Sequence, residues 1–180
     1  MCSSDLARQK LFFEVAGTLE WLPRETIVFD GALAELQCEV RLAGAARYIG
    51  WEIVCLGRTG SGERFSRGNL RIHTRVLRGE NLLWTERGEI EGGGALMRSR
   101  VGLGGKAVFG NLIAAAPRFE ASLVSQCRKI AATTVLPGLL IARYLGDSTE
   151  EAFDQFRSLW SLLRPALSGR DAVEPRIWST

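Results

Sequence analysis

Residues 50–65 read GWEIVCLGRTGSGERF. An apolar run, Ile53 to Leu56, enters a glycine-rich stretch holding Arg58, Glu63 and Arg64. Phosphate binding is the first chemistry to test. A P-loop is G-x-x-x-x-G-K-[ST] between a strand and a helix: backbone N–H groups cradle the phosphates, the lysine reaches the outer ones, and the hydroxyl meets magnesium. Gly57 and Gly62 have the spacing, but Glu63-Arg64 stand where Lys-Ser/Thr is required. A carboxylate there opposes phosphate charge. The G-x-G-x-x-G pattern also fails, because Phe65 occupies the place of the third glycine. The next segment alternates Leu70, Ile72, Thr74 and Val76 with Arg71, His73 and Arg75, which is strand period. The stretch reads as a long loop between strands, its glycines supplying unusual backbone angles. Arg58, Ser61, Gly62 and Glu63 are its candidate structural residues, with Arg58 or Glu63 fixing the loop through an ion pair.

Little else offers catalytic chemistry. A Ser/His/Asp site needs a histidine with a carboxylate partner and an activated serine. The single histidine, His73, lies on the arginine-bearing face of its strand, and no G-x-S-x-G elbow exists. Cys2, Cys38, Cys55 and Cys127 form no C-x-x-C pair, so a zinc-type cluster has little support. Cys38 and Cys55 sit in apolar strand patterns and read as small buried hydrophobes. Wide spacing and the lack of a basic-then-apolar start suggest reduced thiols in the cytoplasm. Four carboxylates stand out, Glu20, Glu25, Asp30 and Glu52, each set in apolar or aromatic sequence. A carboxylate in such surroundings is costly unless paired or wet. Two readings stay open: satisfied ion pairs, with Arg24 and Arg58 as candidate partners, or a polar internal path for a hard or borderline cation.

The elements that would position these residues are mostly strands. The 180 residues suit one domain, and 46% hydrophobic with 24% charged residues is ordinary for a globular chain. A net charge of +3, from 23 basic and 20 acidic residues, does not argue for a nucleic-acid groove. No apolar run reaches the length of a membrane helix. Strands are expected at Lys10–Val15, Thr26–Phe29, Leu36–Leu42 and Tyr48–Leu56, the last buried on both faces. Leu70–Leu77 and Leu82–Ile90 flank a hairpin turn at Arg78-Gly79-Glu80-Asn81. Gly102–Pro117 fits either strand or helix. Phe119–Ala132 reads as helix, and Thr133–Tyr144 as an apolar strand interrupted at Pro137-Gly138. Ser148-Thr149-Glu150-Glu151 is a capping box opening a helix. Its stripe of Ala152, Phe153, Phe156, Leu159, Trp160 and Leu163 is either core or a face for a partner helix. Pro165 should bend or end this helix. Trp178, near the end of an extended tail, should dock on the body. The expected fold is mainly β (α+β), a two-layer or β-helix-like domain with two helices toward the C-terminus.

Residues 1–6, MCSSDL, differ in character from the rest of the chain and read as a non-native or frayed start, with native sequence missing upstream. Residues 7–180 then form one domain, incomplete at its N-terminus.

Several stretches together resemble the UreD (UreH) family of urease accessory proteins. They are Leu19-Glu20-Trp21-Leu22-Pro23-Arg24-Glu25-Thr26-Ile27-Val28-Phe29-Asp30, then Tyr48-Ile49-Gly50-Trp51-Glu52-Ile53-Val54-Cys55-Leu56-Gly57-Arg58, then Ser61-Gly62-Glu63-Arg64-Phe65. Leu163-Arg164-Pro165-Ala166-Leu167, Gly169-Arg170 and Pro175-Arg176-Ile177-Trp178 resemble the family's C-terminus. The resemblance covers roughly the family's C-terminal two-thirds. It implies a non-enzymatic scaffold that binds the urease apoprotein and UreF, which recruits the GTPase UreG. GTP hydrolysis would then belong to UreG. The assembly would deliver nickel through a tunnel, without a tightly bound cofactor. Glu20, Glu25, Asp30, Glu52 and Cys55 fall in the matching motifs and are the candidate lining. Phe156, Trp160, Arg164, Arg176 and Trp178 are the candidate partner-binding residues. The competing readings are a β-rich small-molecule enzyme, which a deep pocket holding a strongly perturbed acid would favour, and an inactive fragment with exposed sheet edges.

Overall fold

A computed structural model describes residues 6–179. Ten strands form two stacked sheets. The first holds β1 (Leu6–Val15), β4 (Leu33–Leu42), β6 (Asn69–Arg78) and β7 (Asn81–Glu91), in the order β1-β4-β6-β7. β1, β4 and β6 run parallel, and β6–β7 is an antiparallel hairpin. The second has the order β2-β5-β8-β10-β9, from β2 (Thr18–Trp21), β5 (Arg47–Leu56), β8 (Val108–Ala115), β10 (Leu139–Gly146) and β9 (Ala132–Leu136). β3 (Thr26–Val28) continues the β2 edge of β5 after a break: β2 pairs with residues 47–50 and β3 with residues 54–56.

The outer face of the second sheet is covered by α2 (Ala121–Ile130) and α3 (Thr149–Ser168). A one-turn helix, α1 (Ala95–Arg98), follows β7. The architecture is strand-dominated, as the sequence pattern predicts, with helices adding a third layer. β5 lies between both apolar layers, which explains its weak alternation: Ile49, Trp51, Ile53 and Cys55 face the helices, while Tyr48, Val54 and Leu56 face the first sheet.

Local signals explain several boundaries. Ser148 caps α3 by accepting a hydrogen bond from the Glu151 N–H at 3.2 Å. Glu151 uses its own carboxylate to accept from the Tyr144 hydroxyl at 3.0 Å. Gly169, left-handed at φ 68°, ends the helix. Pro165 does not: α3 runs on to Ser168. Leu163 and Leu167 are buried on the same stripe, and that burial offsets the backbone hydrogen bond that proline removes. Pro137-Gly138 is likewise no interruption of one strand. It is the two-residue turn of the β9–β10 hairpin, pairing Leu136 with Leu139. Gly102–Pro117 resolves into a loop followed by strand β8. The suggested non-native start falls partly outside the described residues, since residues 1–5 are not among them; Leu6 already pairs with Leu33.

Candidate functional site: a polar seam between the sheets

The layer between the sheets contains two apolar clusters, one around Val40, Leu42, Val76 and Ile141, the other around Leu36, Val54, Phe65, Leu70 and Ile90. Polar residues separate them. Strand register sets Cys38, Thr74 and Glu86 side by side across β4, β6 and β7. On the second sheet it sets Glu52, Asn111 and Arg143 side by side across β5, β8 and β10. The two rows face each other. Asn111 Nδ2 donates to Glu86 Oε2 at 2.8 Å, and Arg143 Nη2 lies 3.5 Å from Glu86 Oε1. Glu86 is thereby held by a cation and an amide.

Glu52 is different. It is half-buried, and among the described residues its carboxylate takes no hydrogen bond or ion pair. Burial, and then the charge of Glu86, raise it from the usual 4.5 to about 7. Its effect reaches neighbours. Burial and then Glu52 push the Cys38 thiol up to about 12. The fully buried Tyr48 phenol is also raised, chiefly by burial, with Cys38 and Glu52 adding to it. Gly50, between Tyr48 and Glu52, leaves room for that phenol: a Cβ on Gly50 would collide with the Tyr48 hydroxyl.

The seam opens at both edges of the sandwich. One cleft is lined by Gln9, Leu11, Pro23, Arg24, Cys38 and Glu52, at the break between β2 and β3. The other is lined by Arg87, Leu103, Asn111, Arg143 and Tyr144, at the β7–β10 side. Glu52, Glu86 and Asn111 line both. Among the described residues no three His, Cys, Asp or Glu side chains are grouped to hold a metal. The two clefts share scattered oxygen donors in Glu52, Glu86 and Asn111.

Of the acidic candidates, Glu52 alone lies in this seam. Glu20 faces the helices, where its carboxylate accepts from Trp160 Nε1 at 2.8 Å and Arg164 Nε at 3.0 Å. Cys55 is buried on the same helix side, its thiol 3.2 Å from the Gly57 carbonyl oxygen. Glu25 is half-buried in the segment joining β2 and β3. Asp30 ties down the GWEIVCLGRTGSGERF loop: it accepts from Ser66 N at 2.7 Å, Arg67 N at 2.8 Å and Arg67 Nη2 at 2.8 Å. The Arg67 guanidinium, with these backbone donors, holds Asp30 well below the usual carboxylate range. Arg58 and Glu63 pair at 2.6 Å, and Glu63 also accepts from the Asp30 backbone N–H at 3.1 Å. Gly57 and Gly62 are left-handed at φ 87° and 77°, and Ser61 donates back to the Arg58 carbonyl. The opening stretch is therefore a buried strand followed by a hydrogen-bonded loop.

The partner-binding candidates need correction. Phe156 and Trp160 are fully buried against the second sheet, so neither can meet a partner on this surface. Arg164 holds Glu20 and donates to the carbonyls of Asp171 and Val173. Trp178 docks as expected, meeting Phe153 and Trp160 edge to face and Trp51 at a tilt, while Arg24 donates to its carbonyl at 3.0 Å. Arg176 remains exposed.

Sequence reasoning passed over Thr74, Glu86, Asn111 and Arg143. A signal was present for two of them: Glu86 shares strand parity with the buried Ile90, and Asn111 with Ile113.

A sequence profile described as "UreD urease accessory protein" matches residues 2–179. The chain belongs to the UreD family. Similar proteins carry the name "Urease accessory protein UreD". The one from Azoarcus sp. (strain BH72) is 49% identical over 167 residues, covering 89% of this chain and 59% of that protein. The one from Dechloromonas aromatica (strain RCB) is 46% identical over 186 residues, covering 97% and 65%. The one from Pseudomonas aeruginosa (strain PAO1) is 46% identical over 182 residues, covering 97% and 65%. This UreD-family chain thus spans about three-fifths of the length of the curated relatives it matches. Among the described residues, no helix is long and apolar enough to cross a membrane.

Proposed function

We propose that this chain is a urease maturation factor. It acts as a cytoplasmic scaffold for the urease apoprotein and UreF, with UreG joining through UreF, and nickel crosses it along the polar seam. Family membership supports the link to urease. The observation that supports the path is a pair of clefts, one at each sheet edge, that share Glu52, Glu86 and Asn111 in their linings. A transit path must bind weakly, because a tight site retains the ion. Scattered oxygen donors suit that better than a cysteine–histidine cage. Of the proposed lining, Glu52 is retained; Glu86 and Asn111 join it.

One observation favours a small-molecule enzyme instead: Glu52 is a strongly perturbed acid in a cleft. Glu86, the nearest second carboxylate, is occupied by Asn111 and Arg143 and is not poised as its acid–base partner. Glu52→Ala and Glu52→Gln test the path in cells expressing urease with its accessory proteins. Urease activity and nickel content are the readouts, with binding to UreF measured separately. Reduced activation with complex assembly intact is expected. Normal activation by both variants would remove Glu52 from the path.

A further inference from the structure

After Gly169 ends α3, residues 171–178 run back along that helix. Asp171 meets Arg164, Glu174 meets Arg157 at 3.6 Å, and Trp178 meets Phe153. Side chains fasten this segment to the body. Arg164 Nη1 donates to the carbonyls of Asp171 and Val173 at 2.9 and 3.2 Å, and Arg24 Nη2 donates to that of Trp178 at 3.0 Å. The backbone bonds from Val173 N to Asp171 O and from Trp178 N to Pro175 O close turns within the segment. Asp171, Val173, Glu174, Arg176 and Ile177 are exposed; Ala172, Pro175 and Trp178 are half-buried. Its apolar hold is thus concentrated in the Trp178 ring. A segment with little burial and exposed hydrogen bonds opens at far lower free energy than the sheets do.

The segment fastens one wall of a cleft. β2 pairs with residues 47–50 of β5 and β3 with residues 54–56, so residues 22–25 bridge a gap in that row. Pro23 and Arg24 of this bridge line the cleft together with Trp51, Glu52 and the half-buried Cys38. Two contacts hold the bridge from the helix side. Trp51 Nε1 donates to the Pro23 carbonyl at 2.8 Å, and the Trp51 ring packs against Trp178 with centroids 5.8 Å apart. Arg24 lies 4.4 Å over the Phe153 ring while it holds the Trp178 carbonyl. Both contacts end on Trp178. The cleft they border is the narrower of the two, about 60 Å³ against about 350 Å³ on the β7–β10 side, so it admits waters and small ions but no bulky solute.

We propose that residues 171–178 are a releasable strap that sets the width of this cleft. Seated, Trp178 pins Trp51 and Arg24 and keeps residues 22–25 drawn in. Unseated, it frees that bridge, and the cleft widens toward Cys38 and Glu52. The coupling is reciprocal, so whatever loosens the bridge also loosens the strap. The device is the same whatever crosses the seam.

Alkylation of Cys38 in the purified chain tests this, with iodoacetamide as the small reagent and a bulky maleimide as the large one. Peptide mass spectrometry assigns the modified thiols. The Cys38 thiol, raised to about 12, reacts slowly with both reagents, so the ratio of the two rates reports width. Cys127 is fully buried on α2 and reports global opening in the same sample. In the unaltered chain the small reagent should reach Cys38 and the bulky one should not. Trp178→Ala should raise the bulky-to-small ratio at Cys38 roughly tenfold or more, with Cys127 unchanged. Trp178→Phe keeps a ring in the seat and should stay close to the unaltered chain. Arg24→Gln acts from the other end and should speed tryptic cleavage after Arg170 and Arg176. Entry of the bulky reagent into the unaltered chain, a ratio unmoved by Trp178→Ala, Cys38 and Cys127 rising together, or cleavage indifferent to Arg24→Gln would each overturn the proposal.

Discussion

Glu52 makes the stability of this fold depend on pH in a direction set by its surroundings. Burial between the sheets, and then the Glu86 charge, raise its carboxyl from 4.5 to about 7. The folded chain therefore holds this proton more tightly than the unfolded chain does. Between those two values the native state binds more protons, so stability falls as pH rises. Below 4.5 the carboxyl is neutral in both states and costs nothing; above about 7 the whole penalty is present. At about 1.4 kcal/mol for each pH unit, the shift amounts to about 3 kcal/mol. Glu52→Gln keeps the shape and removes the charge. Its gain in stability should be small near about pH 5 and approach about 3 kcal/mol near about pH 8. For a chain of this size each kcal/mol is about 2–4 °C in Tm. Urea unfolding of both proteins at the two pH values measures the difference, in which every titration they share cancels. A pH-independent difference would refute the reasoning, because it would mean that water reaches the carboxylate and the seam is not a low-dielectric layer. Glu86→Gln removes the second cause and should shrink the pH-dependent gain without abolishing it.

Two other outcomes are expected from residues that lie outside the seam. Glu20→Ala leaves Trp160 Nε1 and the Arg164 guanidinium without their partner beneath α3, and should cost about 2–3 kcal/mol. Urea unfolding measures that loss, and a shift of tryptophan emission should accompany it; an unchanged midpoint would mean the contact carries no net stability. Asp30→Ala releases five hydrogen bonds to Ser66 and Arg67 and should open residues 57–68 locally, seen as faster tryptic cleavage after Arg58, Arg64 and Arg67 with global unfolding little changed. Cleavage at the wild-type rate would show that the Arg58–Glu63 pair alone fixes the loop.

Local sequence determined most of the elements and ruled out one chemistry. Period-2 alternation marked β4 and β6, the turn at Gly79-Glu80 marked the β6–β7 hairpin, and Ser148 marked the start of α3, because each depends on residues a few positions apart. Glu63-Arg64 excluded a P-loop for the same reason. One local rule was overridden by packing: Pro165 stays inside α3 because Leu167 is buried beyond it. The α3 stripe, open in the sequence between core and a partner face, is core because a sheet covers Phe156 and Trp160. What only the tertiary structure decided is which carboxylates meet. Glu20, Asp30 and Glu52 look alike in sequence, each set among aromatic and apolar neighbours. Glu20 turns to the helices, Asp30 to a loop, and Glu52 to the layer between the sheets. Alternation says that a side chain lies on one face of a strand, but not what covers that face. Glu86 and Asn111 reach Glu52 through the order β4-β6-β7 stacked on β5-β8-β10, and that order is fixed by pairings between strands far apart in the chain.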